Sequence, residues 1–306
     1  MYNKEISKFK KYRRFVIWGL LKKTNTLRYI HSHFFTTLKK LGTDAIWVED
    51  EFKNRSLIKK GDLVISSGLW VEHLPVVKDV DYCLHNFNKN ISDRIENSRR
   101  LILQVYIVDA EKNSRKWDTV RFFDRKNQVL YQPWGTNLLP HEFKQPVFRP
   151  HSKFIFWIGS IWDNELHQGN INEIRDLKKI LRKNGLLFVH FFYGITDFLN
   201  IEFIRLSRIA PAIAGKWQVE VNYLPCRMFK NISYGQLGIS NVGKFKDIFP
   251  DLLPKGNNIE ELIDNSLSIK KTEYIEMINF QQEIVKRYTY LNSLLNIVRA
   301  FEEIHG

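Results

Sequence analysis

Apolar residues along this chain recur with two different periods, and each switch of period marks an element. FVIWG (15–19) is a short unbroken apolar run. After the polar KKTNT, Leu27, Ile30, Phe34, Leu38 and Leu41 return at helical spacing, with Thr24 to Thr26 as cap candidates and Gly42 as the stop. AIWVED (45–50), DLVISSG (62–68), DYCLHNF (81–87) and LILQVYIVD (101–109) read as further strands, separated by polar or helical segments such as ISDRIENSRR (91–100). Three prolines and a loss of periodicity in PHEFKQPVFRPHS (140–152) mark a linker. A second series follows. FIFWIGS (154–160) is a strand, INEIRDLKKILRKNG (171–185) a helix with Ile171, Ile174, Leu177 and Leu181 on one face, and LLFVHFF (186–192) a strand. FLNIEFIRLSRIA (198–210) then reads as a helix, QVEVNYL (218–224) as a strand, RMFKNISYG (227–235) as a helix and LGISNV (237–242) as a strand. NIEELIDNSLS (258–268) is helical, and so is nearly all of 273–303.

Strands that alternate with helices and are apolar on both faces predict an α/β fold with parallel sheets. The length of 306 residues fits two domains of about 150 residues each. The expected architecture is two doubly wound Rossmann-like domains facing a cleft: 1–148, 149–285, and a terminal helix over 286–306 packing back towards the first. Ligands of such sheets bind beyond the carboxyl ends of the strands, so the loops after 19, 50, 68, 87, 159, 192 and 224 are expected to line the cleft.

Composition narrows the setting. Only Cys83 and Cys226 are present, too few for a disulfide scaffold and too far apart for a CxxC site, so a reducing, cytoplasmic environment is expected. No run of about 18 apolar residues occurs, and MYNKEISKFKKYRR lacks the apolar core of a signal peptide. The net charge is +14, and residues 1–40 carry eleven Lys or Arg against Glu5 alone. That concentration suits either an anionic partner, including peripheral contact with an anionic membrane, or a solvated Lys-rich surface. A nucleic-acid-binding protein is the competing class, but no zinc finger, RNP motif or KH-type loop accompanies the basic stretch.

The chemistry concentrates in WQVEVNYLPCRMFKNISYGQLGISNVGKFK (217–246). A turn at Pro225 leads into a helix that opens with Arg227, carries Lys230 and stops at Gly235; a helix N-terminus with its free N–H groups and partial positive charge suits a diphosphate. Gly159 and Ser160 end the first strand of the second series, where small residues let backbone approach a phosphate. This P-x-R-x-F turn and the helix that stops at Gly235, with Ser240 and Asn241 beyond it, resemble the donor-binding segment of GT-B-fold glycosyltransferases, in which a small-residue helix has a G-x-x-x-(S/T)-N end. PWGTNLLP (133–140) and TNTLRYIHSH (24–33) resemble segments of bacterial and viral glycan-building members of that class.

The resemblance implies a glycosyltransferase with no separate cofactor and no metal, using a UDP- or GDP-linked sugar as donor. Its acceptor would be a glycan hydroxyl, free, lipid-linked or on a protein. It implies Arg227 on the diphosphate with Gly159 and Ser160, Trp217 and Gln218 near the nucleobase, and Ser233, Tyr234 and Asn241 either as donor contacts or as caps and turns. Phe229 and Ile232 read as core. Many relatives place a ribose-binding Glu where this chain has Lys230, so Lys230 either turns to phosphate or the ribose is held elsewhere. A sugar-nucleotide epimerase would share the donor site. For deprotonating an acceptor, Asp50 and Glu49 end one strand and His31 lies on the first helix; His31 and His33, two apart, cannot share a helix face. His85 and Asn86 end another strand. No HExxH and no paired Cys/His spacing supports a metal site.

Overall fold

A computed structural model describes residues 6–23, 25–69, 71–85, 100–106, 114–192 and 195–306, which fall into two compact units. The first holds the described residues up to Tyr106, those of 114–132, and Tyr290–Gly306. The second is the continuous stretch Pro133–Thr289.

The first unit is built on strands β1 (Arg14–Trp18), β2 (Ala45–Val48), β3 (Asp62–Ser67), β4 (Asp81–His85), β5 (Leu101–Val105), β6 (Arg115–Lys116), β7 (Phe122–Asp124) and β8 (Val129–Tyr131). Their order in the sheet is β2-β1-β3-β4-β5-β8-β7-β6, parallel as far as β8 and antiparallel thereafter. Phe15 to Trp18, Leu63 to Ile65 and Tyr82 to Leu84 are all fully buried, because both sheet faces are covered. That is why these segments read as unbroken apolar runs. β6 to β8 have two or three residues each, too short to carry a period, and the sequence gives no sign of them. The strand order reverses between β1 and β3, which opens a crevice at their carboxyl ends.

Helix α1 (Thr26–Lys40) buries Leu27, Ile30, Phe34 and Leu38. Its cap is Asn25, whose side chain accepts the Arg28 N–H at 2.8 Å, while Thr24 lies outside the described residues. The final helix, Tyr290–His305, packs on α1 within this unit, with the Tyr290 ring edge-on to Phe34 at 5.3 Å and stacked on His33 at 5.8 Å. Asn86, ISDRIENSRR up to Arg99 and residues 107–109 also fall outside the described residues.

In the second unit β9 (Phe154–Ile158) and β10 (Leu187–Phe191) pair in parallel, Phe154 beside Leu187. Around them lie α2 (Ile171–Lys183), α3 (Asp197–Leu206), α4 (Lys216–Glu220), α5 (Cys226–Ser233), α6 (Ile259–Ser268) and α7 (Lys271–Val285); the Tyr290–His305 helix is α8. Ile174, Leu177 and Leu181 of α2 share a core with Ile155 and Trp157 of β9, each contributing about 1.5–3 kcal/mol by burial. Ile171, placed on that face by the helical pattern, is exposed in the first turn.

Three expectations change here. QVEVNYL is not a strand: Gly215 N–H bonds Gln218 Oε1 at 2.9 Å and Lys216 N–H bonds Glu173 Oε1 at 2.9 Å, and this capping carries the chain into α4 despite its β-like alternation. LGISNV forms only an isolated bridge, Ile239 to Pro211, because Pro211 has no N–H to continue a ladder. The proline-rich 140–152 is not the boundary. Thr136 N–H bonds Tyr288 O, Lys144 N–H bonds Ser233 O and Val147 N–H bonds Gly235 O, all within 2.9 Å, so the units divide at 132/133 and again at 289/290, where the helical run 273–303 is broken. Prolines interrupt periodicity there without interrupting packing.

Candidate functional site

At the carboxyl end of β9 the chain turns at Gly159 with φ 120°, a conformation that L side chains rarely adopt. Arg227, in the first turn of α5, lies against this turn: a Cβ added to Gly159 would sit 3.0 Å from Arg227 Nη2. Arg227 Nη1 donates to Ile158 O at 2.6 Å, and the guanidinium lies over the Trp157 ring at 3.7 Å from its centroid. His190 of β10 shares a hydrogen bond with Gly159 O at 2.8 Å, fixing the turn from the other strand. Lys230, one helical turn beyond Arg227, is buried, and burial, more than any neighbouring charge, holds its ammonium below the usual lysine range. Arg227 acts in the same direction, while Asp197 at the start of α3 opposes it. Arg227, a left-handed turn and a helix N-terminus therefore meet, with Ser160 next in the chain and Lys230 one helical turn further along α5.

The other residues expected at a donor site have internal partners. Ser233 Oγ donates to Lys230 O and lies 2.7 Å from Thr136 Oγ1; Tyr234 is fully buried with its hydroxyl on Asn137 Oδ1 at 2.6 Å. Asn241 clamps Ala214 through both its N–H and its carbonyl, each at 2.8 Å. Gln218 caps α4 as above, and Trp217 is half-buried beside it. Phe229 and Ile232 are fully buried. PWGTNLLP contributes Asn137 and Thr136 to these contacts, and its Gly135 lies against the Tyr288 and Thr289 backbone. Asn241 also lines an open cavity of about 1250 Å³ with Glu173, Lys216, Lys246 and Glu260. Trp157 and His190 went unnoticed in the sequence, because they reach Arg227 and Gly159 only through tertiary packing.

In the first unit, the three base candidates differ in their commitments. Asp50 accepts Trp18 Nε1–H at 2.6 Å and the backbone N–H groups of Glu72 and His73 at 2.6 and 3.1 Å, which clasps the loops after β2 and β3 over the end of β1. Glu49 Oε2 accepts the Lys22 N–H at 3.0 Å and the residue is half-buried. His31 is fully buried, 2.9 Å from His85 Nδ1, with its pKa pushed down to about 3 by desolvation; His85 is lowered by the same cause and by His31. His33 turns instead to Tyr290. Much of the basic N-terminal stretch is paired: Lys8 and Lys11 with Glu302, Arg13 and Arg14 with Asp62, Lys22 with Glu51.

Among the described residues no group of three or more His, Cys, Asp or Glu is placed to hold a metal ion, and no helix is long and apolar enough to cross a membrane.

No family model and no curated protein matches the sequence. Among solved structures, the chain is similar to the N-terminal domain of Candida albicans trehalose-6-phosphate phosphatase at a TM-score of 0.45 and 11% identity, covering 95% of this chain and 96% of that one. It is also similar to the OtsA apo structure, at a TM-score of 0.53 and 9% identity, over 96% of this chain and 99% of that one. OtsA is a two-domain GT-B fold, and at this identity the likeness speaks to fold alone. The chain has the GT-B fold.

Proposed function

We propose that this protein is a glycosyltransferase that moves a sugar from a UDP- or GDP-linked donor to a hydroxyl of a glycan or lipid-linked glycan. The observation that carries the reading is the contact of Arg227 with the Gly159 turn over the Trp157 ring, one helical turn from the buried Lys230. A cation in the first turn of a helix opposes the helix dipole by about 0.3–1 kcal/mol, and a second buried cation adds to the repulsion. A bound anion reverses both terms, and a diphosphate spans two such groups. The planar fork of Arg227 contacts the phosphates and Lys230 supplies a second charge, so the ribose hydroxyls are held by other groups.

The acceptor oxygen attacks the anomeric carbon, the bond from that carbon to the diphosphate oxygen breaks, and the diphosphate leaves with the electron pair. Arg227 and Lys230 stabilise the charge that develops on it, the role a metal has in other transferases. The acceptor proton goes to one of Glu49, Asp50 and His31. Glu49 ranks first, because the Asp50 oxygens already accept three N–H groups and His31 is fully buried.

Calorimetric titration of UDP and GDP in the presence of EDTA tests the reading. Arg227→Ala is expected to weaken binding by about 10- to 150-fold, the worth of a charge-assisted hydrogen bond, and Arg227→Lys to recover only part of it. Unchanged affinity in a folded Arg227→Ala protein refutes the assignment. Mass detection of sugar transfer onto added glycans separates a transferase from an epimerase using the same donor.

A further inference from the structure

β10 is an edge strand of the second unit: among the described residues the sheet has the order β10-β9 and nothing pairs on the far side of β10. Leu187 N–H bonds Lys153 O and Phe191 O accepts Gly159 N–H, so Leu187, Val189 and Phe191 direct their backbone groups to β9. By the alternation of a parallel strand, Phe188 and His190 present theirs outward. Edge strands are ordinarily blunted by Lys, Pro or a bulge, and LFVHF has none of these.

The sheet face on the side of Leu187, Val189 and Phe191 is apolar and incompletely covered. Leu199, Phe203 and Leu206 form one stripe of α3, and the Phe203 ring stacks on Phe156 at 5.0 Å and Phe191 at 4.9 Å. Beyond that stack Phe154 is 44% exposed, Leu187 58%, Leu199 40% and Leu206 47%, with Phe192 (47%) and Phe198 (68%) at the carboxyl end of the strand. At about 200 Å² per large side chain these leave roughly 600 Å² of apolar surface around β10 and α3. A standard interface of ~800 Å² per partner, a little over half of it apolar, needs roughly 450 Å².

We infer that this edge is the interface of a two-fold dimer in which β10 pairs antiparallel with β10 of a second copy of the chain. A two-fold axis normal to the sheet at Val189 puts Phe188 opposite His190 of the other copy, so that their outward N–H and C=O groups bond each other. The same axis puts Val189 opposite Val189 and Leu187 opposite Phe191 on the apolar face. The backbone pattern and the side-chain face are thus self-complementary in one register. A lipid surface would cover the apolar face but leave the outward backbone groups to water.

Sedimentation velocity from sub-micromolar to tens of micromolar chain tests this. The wild type is expected to reach twice the mass of the chain, and Val189→Lys to stay at the chain mass with an unchanged circular dichroism spectrum. In a Cys226→Ser background, Val189→Cys is expected to form an interchain disulfide on mild oxidation, since directly opposed Cβ atoms lie about 5 Å apart, and Leu187→Cys not to. The cross-link decides the matter should Val189→Lys fail to fold. A wild-type chain that stays monomeric over the range, a dimer in which Val189→Cys does not cross-link, or a monomer that sediments with anionic vesicles unless Val189 is Lys would each overturn the inference.

Discussion

Substituting Gly159 by Ala tests the heart of the proposed donor site, because two effects of known origin meet at one atom. The backbone there has φ 120°, and holding an L residue in such a region costs about 1–3 kcal/mol. The new Cβ would stand 3.0 Å from Arg227 Nη2, tighter than nine in ten real Cβ contacts, so the guanidinium must give by a few tenths of an ångström over the Trp157 ring and forfeits part of a cation–π attraction of about 0.5–2 kcal/mol. A displaced guanidinium no longer meets the diphosphate squarely, and losing one charge-assisted hydrogen bond of ~1.5–3 kcal/mol raises the UDP or GDP Kd by roughly 10- to 150-fold. Gly185→Ala is the matched control. Gly185 has φ 67° with no atom within 4 Å of an added Cβ, so it incurs a backbone cost of about 1–2 kcal/mol and touches no candidate ligand group. Thermal unfolding is expected to fall in both variants, and calorimetric nucleotide affinity only in Gly159→Ala. Equal nucleotide affinity in the two variants would refute the reasoning.

Two further outcomes concern the first unit. The His31 pKa is depressed in the folded chain to about 3 from the unfolded value near 6.5, so folding excludes a proton; stability is complete above pH 6.5 and declines by up to about 1.4 kcal/mol per pH unit as the pH falls towards 3. Denaturant midpoints at pH 7.5 and pH 5 are expected to differ more in the wild type than in His31→Gln; an equal difference in both contradicts the assignment of the slope to this buried pair. Asp50→Ala leaves the buried Trp18 indole N–H without its acceptor and is expected to lose about 2–4 kcal/mol in denaturant unfolding while nucleotide affinity stays unchanged; a stability loss under 1 kcal/mol would show that the clasp is dispensable.

Much of the fold was legible wherever a segment is buried on both faces or repeats at helical spacing. β1, β3, β4, β9 and β10 fall where apolar runs predict them, and α1, α2 and α6 where the helical stripes do. The failures share a cause. Val219 and Val221 alternate like a strand, yet Gln218 and Glu173 supply helix caps, and local capping outweighs β-propensity. The prolines of 140–152 read as a hinge, whereas their neighbours bond the end of α5.

At the candidate site, Arg227, two residues after Pro225, and Gly159 at the end of β9 could each be picked out in the chain, 68 positions apart. Their contact could not, nor the Trp157 face between them, since nothing local encodes which helix turn meets which strand end. Ser233, Tyr234 and Asn241 looked chemically available because hydroxyl and amide groups do in a sequence; the structure gives each an internal hydrogen-bond partner.

The division at 132/133 and 289/290 bears on how the polypeptide matures during synthesis. Pro133–Thr289 is continuous, so it can assemble as soon as it clears the ribosome, whereas the earlier-made sheet keeps an uncovered flank until Tyr290 and the helix it begins arrive to cover Phe34 and His33. The portion translated first is therefore completed last, and during that interval its apolar flank is what a chaperone would meet.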